Sequence, residues 1–547
     1  MMLAALSATA AWFVFITLSS AVIGNGPSET VAQSKRGMSK QVQRWEVAEF
    51  DFKTDLVPAD PFEVDFGAVF QHPEGELQRV PGFYNGEADW RLRFCPEKTG
   101  QWEFTTYSSL PELTGRKGKI NVVSNSREWQ KGPIQISPKN RQRFQYADGS
   151  PYFVMAFELD WLFALDAENA DGTPLAHELA STVADYGFNQ VVMNVYAYDA
   201  TWGEKTKIAP DHNFAKPTVF PFGGTNEEPD FSTLNVTFFQ RLDRVIELLN
   251  ERQVVAHLMI YVWNKQVNWP APESGADNRY FDYVIKRYQA YPNLIWDISK
   301  EALDYGRDDM GYITRRIDRL KRIDAHNRLV TVHDYKYCDA FPGKVDFISI
   351  QEWQPYLYHR MVEVGEEHRR QPVFNIEHGG YEKTIYSIFD GAYTDPITCL
   401  DRSYQCIFAG TYPTYYWQNT SWYNVITRPF ELPKEQQPHF RYYKYLTDLF
   451  QSVDFNELSP VQETFSPPFL TNGDDVYLFY LPGYRRGING RLPELLGKRM
   501  RIRWFDPLTG EYTGEMEHHF KDDTWLWFKR PEEITGPMTI AVFNEIN

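Results

Sequence analysis

Cysteine, positive charge and long apolar segments are all scarce in this chain of 547 residues. Its four cysteines (Cys95, Cys338, Cys399 and Cys406) form no Cys-x-x-Cys pair, so neither a structural zinc site nor a disulfide framework is expected, although one bridge could form. The 73 acidic residues outnumber the 56 Lys and Arg, which gives a formal net charge of −17. Because an acidic surface repels phosphate backbones, nucleic acid is not a predicted partner.

The one apolar run of note is at the N terminus. Residues 1–23 carry no charge and are followed by polar residues, a pattern typical of a secretory signal peptide with a Ser19-x-Ala21 cleavage sequence. The run lacks the usual basic residue at its start, so a retained N-terminal anchor is the alternative. Residues 24–42 then read as a polar linker. We expect a secreted, periplasmic or cell-surface protein with no membrane contact beyond such an anchor.

Several catalytic motifs are also missing. The first buried run of the central region has no Gly-rich phosphate turn after it, so a nucleotide cofactor is not predicted. Gly-x-Ser-x-Gly is absent, which argues against a serine hydrolase. No set of His, Cys and Asp has the spacing of a metal site. We therefore predict neither cofactor nor metal.

Aromatic residues are abundant, at 16% of the chain. Residues 43–130 and 455–547 contain short segments in which apolar and polar side chains alternate between Pro and Gly turns, such as Trp90-Arg91-Leu92-Arg93-Phe94. This alternation predicts a β-sandwich domain at each end of the chain.

Residues 131–454 have a different pattern, in which continuous apolar runs alternate with amphipathic helical segments. Runs that are apolar on both faces are typical of buried parallel strands. We count eight, starting at residues 152–157, with Cys406–Gly410 beginning the last unit. The predicted fold class is α/β: a (β/α)8 TIM barrel flanked by an N-terminal and a C-terminal β-sandwich domain.

Two glutamates each end one of these apolar runs. Glu301 follows residues 294–300, the predicted fourth strand, and Glu377 follows residues 372–376, the predicted seventh. Parallel barrel strands all end on one face, so the two carboxylates are expected in one cleft. Glycosidic bond cleavage needs such a pair, because one carboxyl protonates the leaving oxygen while the other attacks the anomeric carbon or activates water.

Other side chains near the ends of the predicted strands are candidates for substrate binding. Polar groups there could bond sugar hydroxyls, and the flat rings of Trp and Tyr suit sugar faces. His257, inside a strand, is instead predicted to be a core residue. The predicted substrate-binding residues are Asp160, Trp161, Asn194, Tyr196, Trp263, Lys300, His333, Gln351, Trp353, His378 and Trp417.

Residues 293–301 and 374–380 are similar to the strand-4 and strand-7 motifs of the retaining (β/α)8 glycoside hydrolases of the clan A type. The whole layout resembles the DUF5060/apiosidase-like (DUF4038-like) group, including a C-terminal motif at residues 503–511. The resemblance implies a secreted glycosidase that acts on a plant or algal polysaccharide or its oligosaccharides. It also implies that Glu301 is the acid/base and Glu377 the nucleophile of a retaining double displacement.

Lys300 departs from that resemblance, because the related enzymes usually have Asn immediately before the acid/base. A cation there lowers the pKa of nearby carboxyl groups. We hypothesise that Lys300 meets an anionic group of the substrate, such as a uronate or sulfate. The alternatives are an inverting or exo-acting glycosidase and a catalytically inactive carbohydrate-binding surface protein. The sugar, its anomer and the oligomeric state are not predicted.

Overall fold

A computed structural model describes residues 38–200, 207–214, 216–306, 309–391, 393–463 and 465–546. The predicted signal peptide or anchor and most of the predicted linker lie outside these residues. Within the described ranges, no helix has the length and apolar character needed to cross a membrane. Strands and helices are numbered below in chain order.

The N-terminal domain is a β-sandwich, as predicted. Its strands are β1 (Met38–Gln43), β2 (Ala48–Lys53), β3 (Phe66–Gln71), β4 (Leu77–Pro81), β5 (Phe83–Gly86), β6 (Asp89–Phe94), β7 (Gly100–Ser108) and β8 (Lys117–Val123). One sheet has the order β1-β8-β7-β3-β4 and the other β2-β6-β5. Alternate side chains such as Phe50, Leu92 and Trp102 are buried in the core between the sheets. The strand β1 begins inside the predicted linker and pairs in parallel with β8.

The central domain begins with an antiparallel sheet of β9 (Ile134–Ile136), β10 (Phe144–Tyr146) and β11 (Pro151–Tyr152). A hairpin, β14 (Phe222–Gly224) and β15 (Pro229–Leu234), lies in the loop after the second barrel strand. The barrel strands are β12 (Ala156–Glu158), β13 (Gln190–Asn194), β16 (Val255–Val262), β17 (Leu294–Lys300), β18 (Val330–His333), β19 (Ile348–Gln351), β20 (Val373–Glu377) and β22 (Tyr412–Trp417). A short strand, β21 (Tyr381–Glu382), pairs with β22.

These strands form the predicted TIM barrel. They are parallel in the order β18-β17-β16-β13-β12-β22-β20-β19. The two end strands meet where the Asp346 amide donates to Val330 O at 2.8 Å and Thr331 Oγ1 donates to Phe347 O at 2.9 Å. The surrounding helices are α1 (Pro174–Asp185), α2 (Val236–Glu251), α3 (Gly275–Tyr288), α4 (Met310–Ile323), α5 (Tyr335–Ala340), α6 (Leu357–Glu367), α7 (Pro396–Phe408) and α8 (Phe440–Ser452).

The prediction for the start of the last barrel unit was wrong. Cys406–Gly410 forms the end of α7 and the following turn, and the eighth strand is β22. Asp395 starts α7 by accepting hydrogen bonds from the amides of Ile397 and Thr398. The buried face of this helix ends in apolar residues, and a short apolar run of this kind does not distinguish a buried helix end from a buried strand.

A buried ion cluster fastens the N-terminal sandwich to the barrel. Arg93 of β6 lies 2.7 Å from Asp243 of α2, which also lies 2.6 Å from Arg287 of α3. One carboxylate thus binds two guanidinium groups, and Arg93 Nη1 also donates to the Arg287 carbonyl at 2.8 Å. The relative position of sandwich and barrel therefore depends on groups shielded from solvent.

The C-terminal domain is also a β-sandwich. Its strands are β23 (Ser459–Val461), β24 (Phe469–Thr471), β25 (Val476–Pro482), β26 (Gly487–Arg491), β27 (Arg499–Phe505), β28 (Tyr512–His519), β29 (Trp525–Lys529) and β30 (Met538–Glu545). One sheet has the order β23-β24-β25-β30-β27-β28 and the other pairs β26 with β29.

All four cysteines of the chain are buried free thiols, so the single disulfide left open by the sequence is not formed.

Candidate active site

Glu301 and Glu377 lie together at the carboxyl ends of the barrel strands. Glu301 directly follows β17, the fourth barrel strand, and Glu377 ends β20, the seventh. One carboxylate oxygen of Glu301, one of Glu377 and a ring nitrogen of His333 all lie within 4.8 Å of one another. Glu377 is buried and Glu301 is partly exposed. The structure thus brings the two predicted carboxyl groups into one cleft.

Glu377 is held by hydrogen-bond donors on both of its oxygens. Its Oε1 lies 2.9 Å from Lys300 Nζ and 3.2 Å from His333 Nε2. The Tyr416 hydroxyl donates to the same oxygen at 3.3 Å, and the Tyr381 hydroxyl donates to Oε2 at 3.0 Å. Burial alone would raise the pKa of Glu377, but the charge of Lys300 and the contact with His333 bring this pKa far below its usual value. Glu377 is therefore a carboxylate over the whole range of ordinary pH.

Lys300 points into the barrel. Its Nζ lies 2.6 Å from Glu158 Oε1 as well as 2.9 Å from Glu377 Oε1. Burial lowers the pKa of Lys300, but Glu158 and Glu377 outweigh this effect and raise the pKa well above its ordinary value. A register shift between Asp297 and Lys300 interrupts the hydrogen-bond ladder between β17 and β18. It locally changes the alternation of side chains between the inside and the outside of the barrel. The sequence led us to expect an anionic substrate group as the partner of this cation; in the structure the partners are two carboxyl groups of the protein.

A third carboxyl group, Glu158, completes this arrangement from the end of β12. Burial raises the pKa of Glu158 well above its usual value despite the opposing charge of Lys300. Two residues later, Asp160 Oδ2 accepts from Lys265 Nζ at 2.9 Å and from the Trp422 amide at 3.0 Å. The two lysines thus face three carboxyl groups, and protonation of Glu158 would balance the charge of this buried cluster.

Glu301 is oriented by two amide side chains. Asn264 Nδ2 donates to its Oε2 at 2.8 Å, and Gln351 Nε2 donates to its Oε1 at 3.0 Å. The backbone of Glu301 has φ of +56°, in the left-handed region that non-glycine residues seldom adopt. This conformation turns the chain sharply at the end of β17. Because both oxygens have amide partners, the carboxyl is fixed relative to the cleft.

The predicted substrate-binding residues divide into two groups. Trp353 is 40% exposed at the rim, with its ring centroid 5.0 Å from that of Tyr381, and Trp263 and Gln351 are partly exposed. The side chains of the second group are buried in the described structure; they are Asp160, Trp161, Asn194, Tyr196, Lys300, His333, His378 and Trp417.

The buried members have partners that explain their positions. Trp417 packs on Phe440 of α8, outside the barrel wall, with ring centroids 5.8 Å apart. Tyr196 packs on Phe238 of α2. Asn194 Nδ2 donates to Asp160 Oδ1 at 3.2 Å. These side chains therefore support the walls and the base of the site.

His378, which follows β20, and His257, inside β16, are also enclosed. His378 Nδ1 accepts from the Gly380 amide at 3.2 Å, and its Nε2 lies 3.2 Å from Ser403 Oγ on α7. Burial lowers the pKa of His378 to about 3. His257 bonds Asp297 Oδ2 at 3.0 Å inside the barrel, in agreement with its predicted core position.

Glu301, His333 and Glu377 are also the residues of this cleft that could ligate a metal ion. The Glu377 oxygen, however, already has the Lys300 ammonium at 2.9 Å. This ammonium supplies positive charge where a bound cation would otherwise supply it. The residues present therefore fit acid–base chemistry without requiring a metal charge.

Two family models match the chain. One, described as a domain of unknown function (DUF5060), matches residues 41–109. The other, described as an apiosidase-like catalytic domain, matches residues 138–457, which is more than half of the chain. The chain belongs to the apiosidase-like family. A comparison with curated proteins finds no match.

Solved structures similar to this apiosidase-like protein are glycoside hydrolases. A provisionally assigned glycoside hydrolase from Bacteroides vulgatus ATCC 8482 is 21% identical, with a TM-score of 0.73 and coverage of 93% of this chain and 100% of that chain. A glycoside hydrolase family 5 structure from the same organism is 16% identical, with a TM-score of 0.55 and coverage of 76% and 94%. At these identities the likeness shows the shared fold. The apiosidase-like domain and this fold together support glycosidase activity.

The sequence prediction for this apiosidase-like site omitted Glu158, Asn264 and Tyr381. Glu158 could have been found, because it ends an apolar run in the same way as Glu301 and Glu377. Asn264 lies on the loop after β16, and Tyr381 lies in the short strand β21 after β20. Their contacts with the glutamates depend on how these segments fold over the barrel end.

Proposed function

We propose that this protein is a retaining glycoside hydrolase with Glu377 as nucleophile and Glu301 as acid/base. The observation that carries the proposal is the approach of the two carboxyl groups, with oxygens within 4.8 Å at the ends of the fourth and seventh strands. Retaining enzymes have carboxyl groups about 5–5.5 Å apart, whereas inverting enzymes need about 6.5–9.5 Å for an intervening water. The close approach of one oxygen from each carboxyl supports the retaining arrangement, in which Glu377 attacks directly.

The two carboxyl groups have surroundings suited to different roles. Glu377 is kept ionised by Lys300, as a nucleophile must be, while Tyr381 fixes its other oxygen. Glu301 has no cation as a hydrogen-bond partner in the described contacts and is held by the neutral amides of Asn264 and Gln351. A carboxyl with neutral partners can hold and release a proton during the reaction.

The reaction then proceeds in two steps. In the first, a Glu377 oxygen bonds to the anomeric carbon, the glycosidic C–O bond breaks, and the Glu301 proton passes to the departing oxygen. In the second, the ionised Glu301 takes a proton from water, whose oxygen attacks the same carbon and releases Glu377. Two inversions leave the anomeric configuration unchanged.

We propose further that the protein is secreted and acts on a plant or algal polysaccharide or its oligosaccharides. The apolar, uncharged residues 1–23 support export, and the family resemblance supports the substrate class. The rival function is carbohydrate binding without catalysis. It is favoured by the Lys300 ammonium, which contacts the oxygen that would otherwise be available for attack.

The test is hydrolysis of arabinoxylan, xyloglucan, galactomannan, rhamnogalacturonan and alginate by the wild type and by Glu377→Gln, Glu301→Gln and Glu352→Gln. Glu352 follows the neighbouring strand β19 but lies 3.6 Å from Arg360, and it is the matched control. We expect the first two variants to lose at least about a hundredfold in kcat and the control to keep its rate. Proton NMR of the first product should show that it has the same anomeric configuration as the substrate.

A product with the inverted anomeric configuration would mean that the enzyme uses an inverting mechanism and not a retaining one. Full activity of Glu377→Gln would remove the assigned nucleophile. Binding of a glycan with no hydrolysis by the wild type would support the non-catalytic alternative.

A further inference from the structure

A groove of about 620 Å³ runs between the flank of the barrel and the C-terminal sandwich. Its barrel side is formed by the loop after β19 together with α6 and α7, and its other side by residues 461–463 and 466–468 and by side chains near the end of β25 and just after it. Glu301 and Glu377 are not among its lining residues. This volume is in the range of about 300–1,000 Å³ that is usual for small-ligand sites. The groove is therefore large enough for a ligand and is separate from the catalytic carboxyls.

Each side of the groove presents an exposed tyrosine ring. Tyr356, on the barrel side, is 77% exposed, and Tyr484, on the sandwich side, is 83% exposed. Exposed rings that lie together in one groove rimmed by polar residues are a feature of ligand-binding grooves. A tyrosine offers a flat apolar face and a hydroxyl, which suits the alternating apolar and hydroxylated surfaces of a sugar.

Buried hydroxyl groups lie in the same groove. Ser466, which is 7% exposed, has an Oγ with no hydrogen-bond partner in the described structure, and the same holds for the Tyr358 hydroxyl. A buried polar atom without a partner costs about 1–3 kcal/mol, so such atoms are usually satisfied by a ligand or by water. Both are hydroxyls, which can donate to and accept from the hydroxyls of a sugar.

Charge in the groove is mixed. Asp401 and Glu463 are acidic, and Arg485 is basic. Asp401 is already engaged by the Tyr480 hydroxyl and by Gln405 Nε2 at 2.6 Å. Arg485 is engaged by the carbonyl of Phe465 at 3.2 Å. With the ionic groups engaged by the protein, the groove favours a neutral ligand.

The groove begins beside the rim of the catalytic cleft. Trp353 is at that rim, where its ring packs on Tyr381, whose hydroxyl donates to Glu377 at 3.0 Å. Pro355, two residues further along, lines the groove. Two residues span at most about 7 Å, so a chain passing over Trp353 reaches the groove within that distance.

We propose that this groove binds a distal segment of the neutral glycan chain whose reacting bond lies between Glu301 and Glu377. The inference rests on the proposed glycosidase function for the identity of the chain, and it adds a second binding region built jointly by the barrel and the C-terminal sandwich. Tyr356 and Tyr484 stack on sugar rings, and Ser466 and Tyr358 bond sugar hydroxyls.

The test is native electrophoresis in gels cast with arabinoxylan, xyloglucan or galactomannan, with alginate as the anionic comparison. Wild type is compared with Tyr484→Ala, with Tyr356→Ala and with Tyr512→Ala, the last being a half-exposed tyrosine of the same sandwich that lies outside the groove. We expect at least one neutral polymer to retard the wild type. Each groove variant should weaken the Kd about fivefold, and Tyr512→Ala should behave as wild type.

Because Tyr356 and Tyr484 are highly exposed, their replacement by alanine should not disturb folding. Circular dichroism of each variant checks that its fold is intact. Equal retardation of Tyr484→Ala and wild type would overturn the proposal that the groove binds glycan. So would the absence of retardation by every polymer. Stronger retardation by alginate than by any neutral polymer overturns its neutral specificity. If binding depends on Tyr484 but the protein hydrolyses none of the glycans, the proposed catalysis is wrong and the proposed groove site holds. If the protein hydrolyses a glycan but its binding does not depend on Tyr484, the catalysis holds and the groove site is wrong.

Discussion

The ammonium of Lys300 lies 2.9 Å from Oε1 of Glu377, deep in the end of the barrel. The residue that departs from the pattern of related enzymes is thus a direct partner of the proposed nucleophile. Its second partner, Glu158 at 2.6 Å, holds it from β12, the first barrel strand. Lys300 therefore acts on the charge of Glu377 and on its orientation.

The first prediction concerns Lys300→Met. Lys300 lowers the pKa of Glu377, so its removal should raise that pKa. The nucleophile must be ionised, and the acid limb of the kcat/KM profile reports ionisation in the free enzyme. The acid limb should therefore move to higher pH, with kcat/KM at neutral pH falling at least about tenfold. The measurement is a pH profile on a soluble aryl glycoside that the wild type hydrolyses.

Lys265→Met is the matched control, since this lysine is also buried but contacts Asp160 at 2.9 Å. It should reduce stability and leave the acid limb in place. If Lys300→Met retains the wild-type acid limb, Lys300 does not control the charge of the nucleophile.

The cleft itself could be predicted from the sequence because it depends on strand order alone. Glu301 and Glu377 each end an apolar run, and parallel strands that close into a barrel end on the same face. The same criterion selects Glu158, whose position after residues 152–157 is equivalent. What the pattern indicates reliably is the end of a buried strand, and hence which residues lie near the site.

The direction of individual side chains could not be predicted in the same way. Strands buried on both faces have no polar alternation, so sequence does not show that Trp417 faces α8 instead of the cleft. Lys300 is further affected by the register shift with β18, which is a property of two strands together. The contacts of Asn264 and Tyr381 with the two glutamates likewise depend on the tertiary fold.

The second prediction concerns the orientation of Glu301. Gln351 Nε2 donates to Glu301 Oε1 at 3.0 Å, so Gln351→Ala should leave the acid less well placed for proton transfer. General acid catalysis matters most when the leaving group is a poor one. We expect kcat/KM to fall about tenfold for a methylumbelliferyl-type or natural glycoside and by less than about twofold for the dinitrophenyl glycoside.

Gln371→Ala serves as control, because its amide donates to the carbonyls of Pro342 and Val345, away from the site. An equal loss on both leaving groups for Gln351→Ala would mean that Gln351 contributes to substrate binding in general and not to acid catalysis.

The third prediction concerns the junction between the N-terminal sandwich and the barrel. Asp243→Asn leaves Arg93 and Arg287 buried side by side with their shared carboxylate removed. Removing one partner of a buried ion pair typically lowers the free energy of unfolding by about 3–5 kcal/mol. We expect the free energy of unfolding in urea to fall by about that amount. The exposed Arg91–Asp51 pair, 2.7 Å apart, provides Asp51→Asn as control, with an expected change below about 1 kcal/mol.

If instead Asp243→Asn and Asp51→Asn had equal effects, the cluster would not fasten the two domains. A separate unfolding transition for the sandwich in Asp243→Asn would show directly that the cluster couples it to the barrel.

The fourth prediction concerns stability in acid. Burial lowers the pKa of His378 to about 3, whereas an unfolded histidine has a pKa of about 6.5. Below pH 6.5 the unfolded chain therefore binds a proton that the native protein does not bind until near pH 3. This proton favours unfolding, so stability falls as pH falls across that window, by about 1.4 kcal/mol per pH unit for this residue.

His378→Asn should remove this one-proton contribution and flatten the dependence of unfolding free energy on pH by about 1.4 kcal/mol per unit between pH 6 and pH 4. Urea unfolding at pH 7, 6, 5 and 4 measures the slope. His519→Asn, at an exposed position on β28, should keep the wild-type slope. Because His326 is also buried and has a lowered pKa, part of the acid sensitivity should remain in His378→Asn. Parallel slopes for wild type and His378→Asn would show that His378 accepts a proton in the folded protein, with its contacts to Gly380 and Ser403 rearranged.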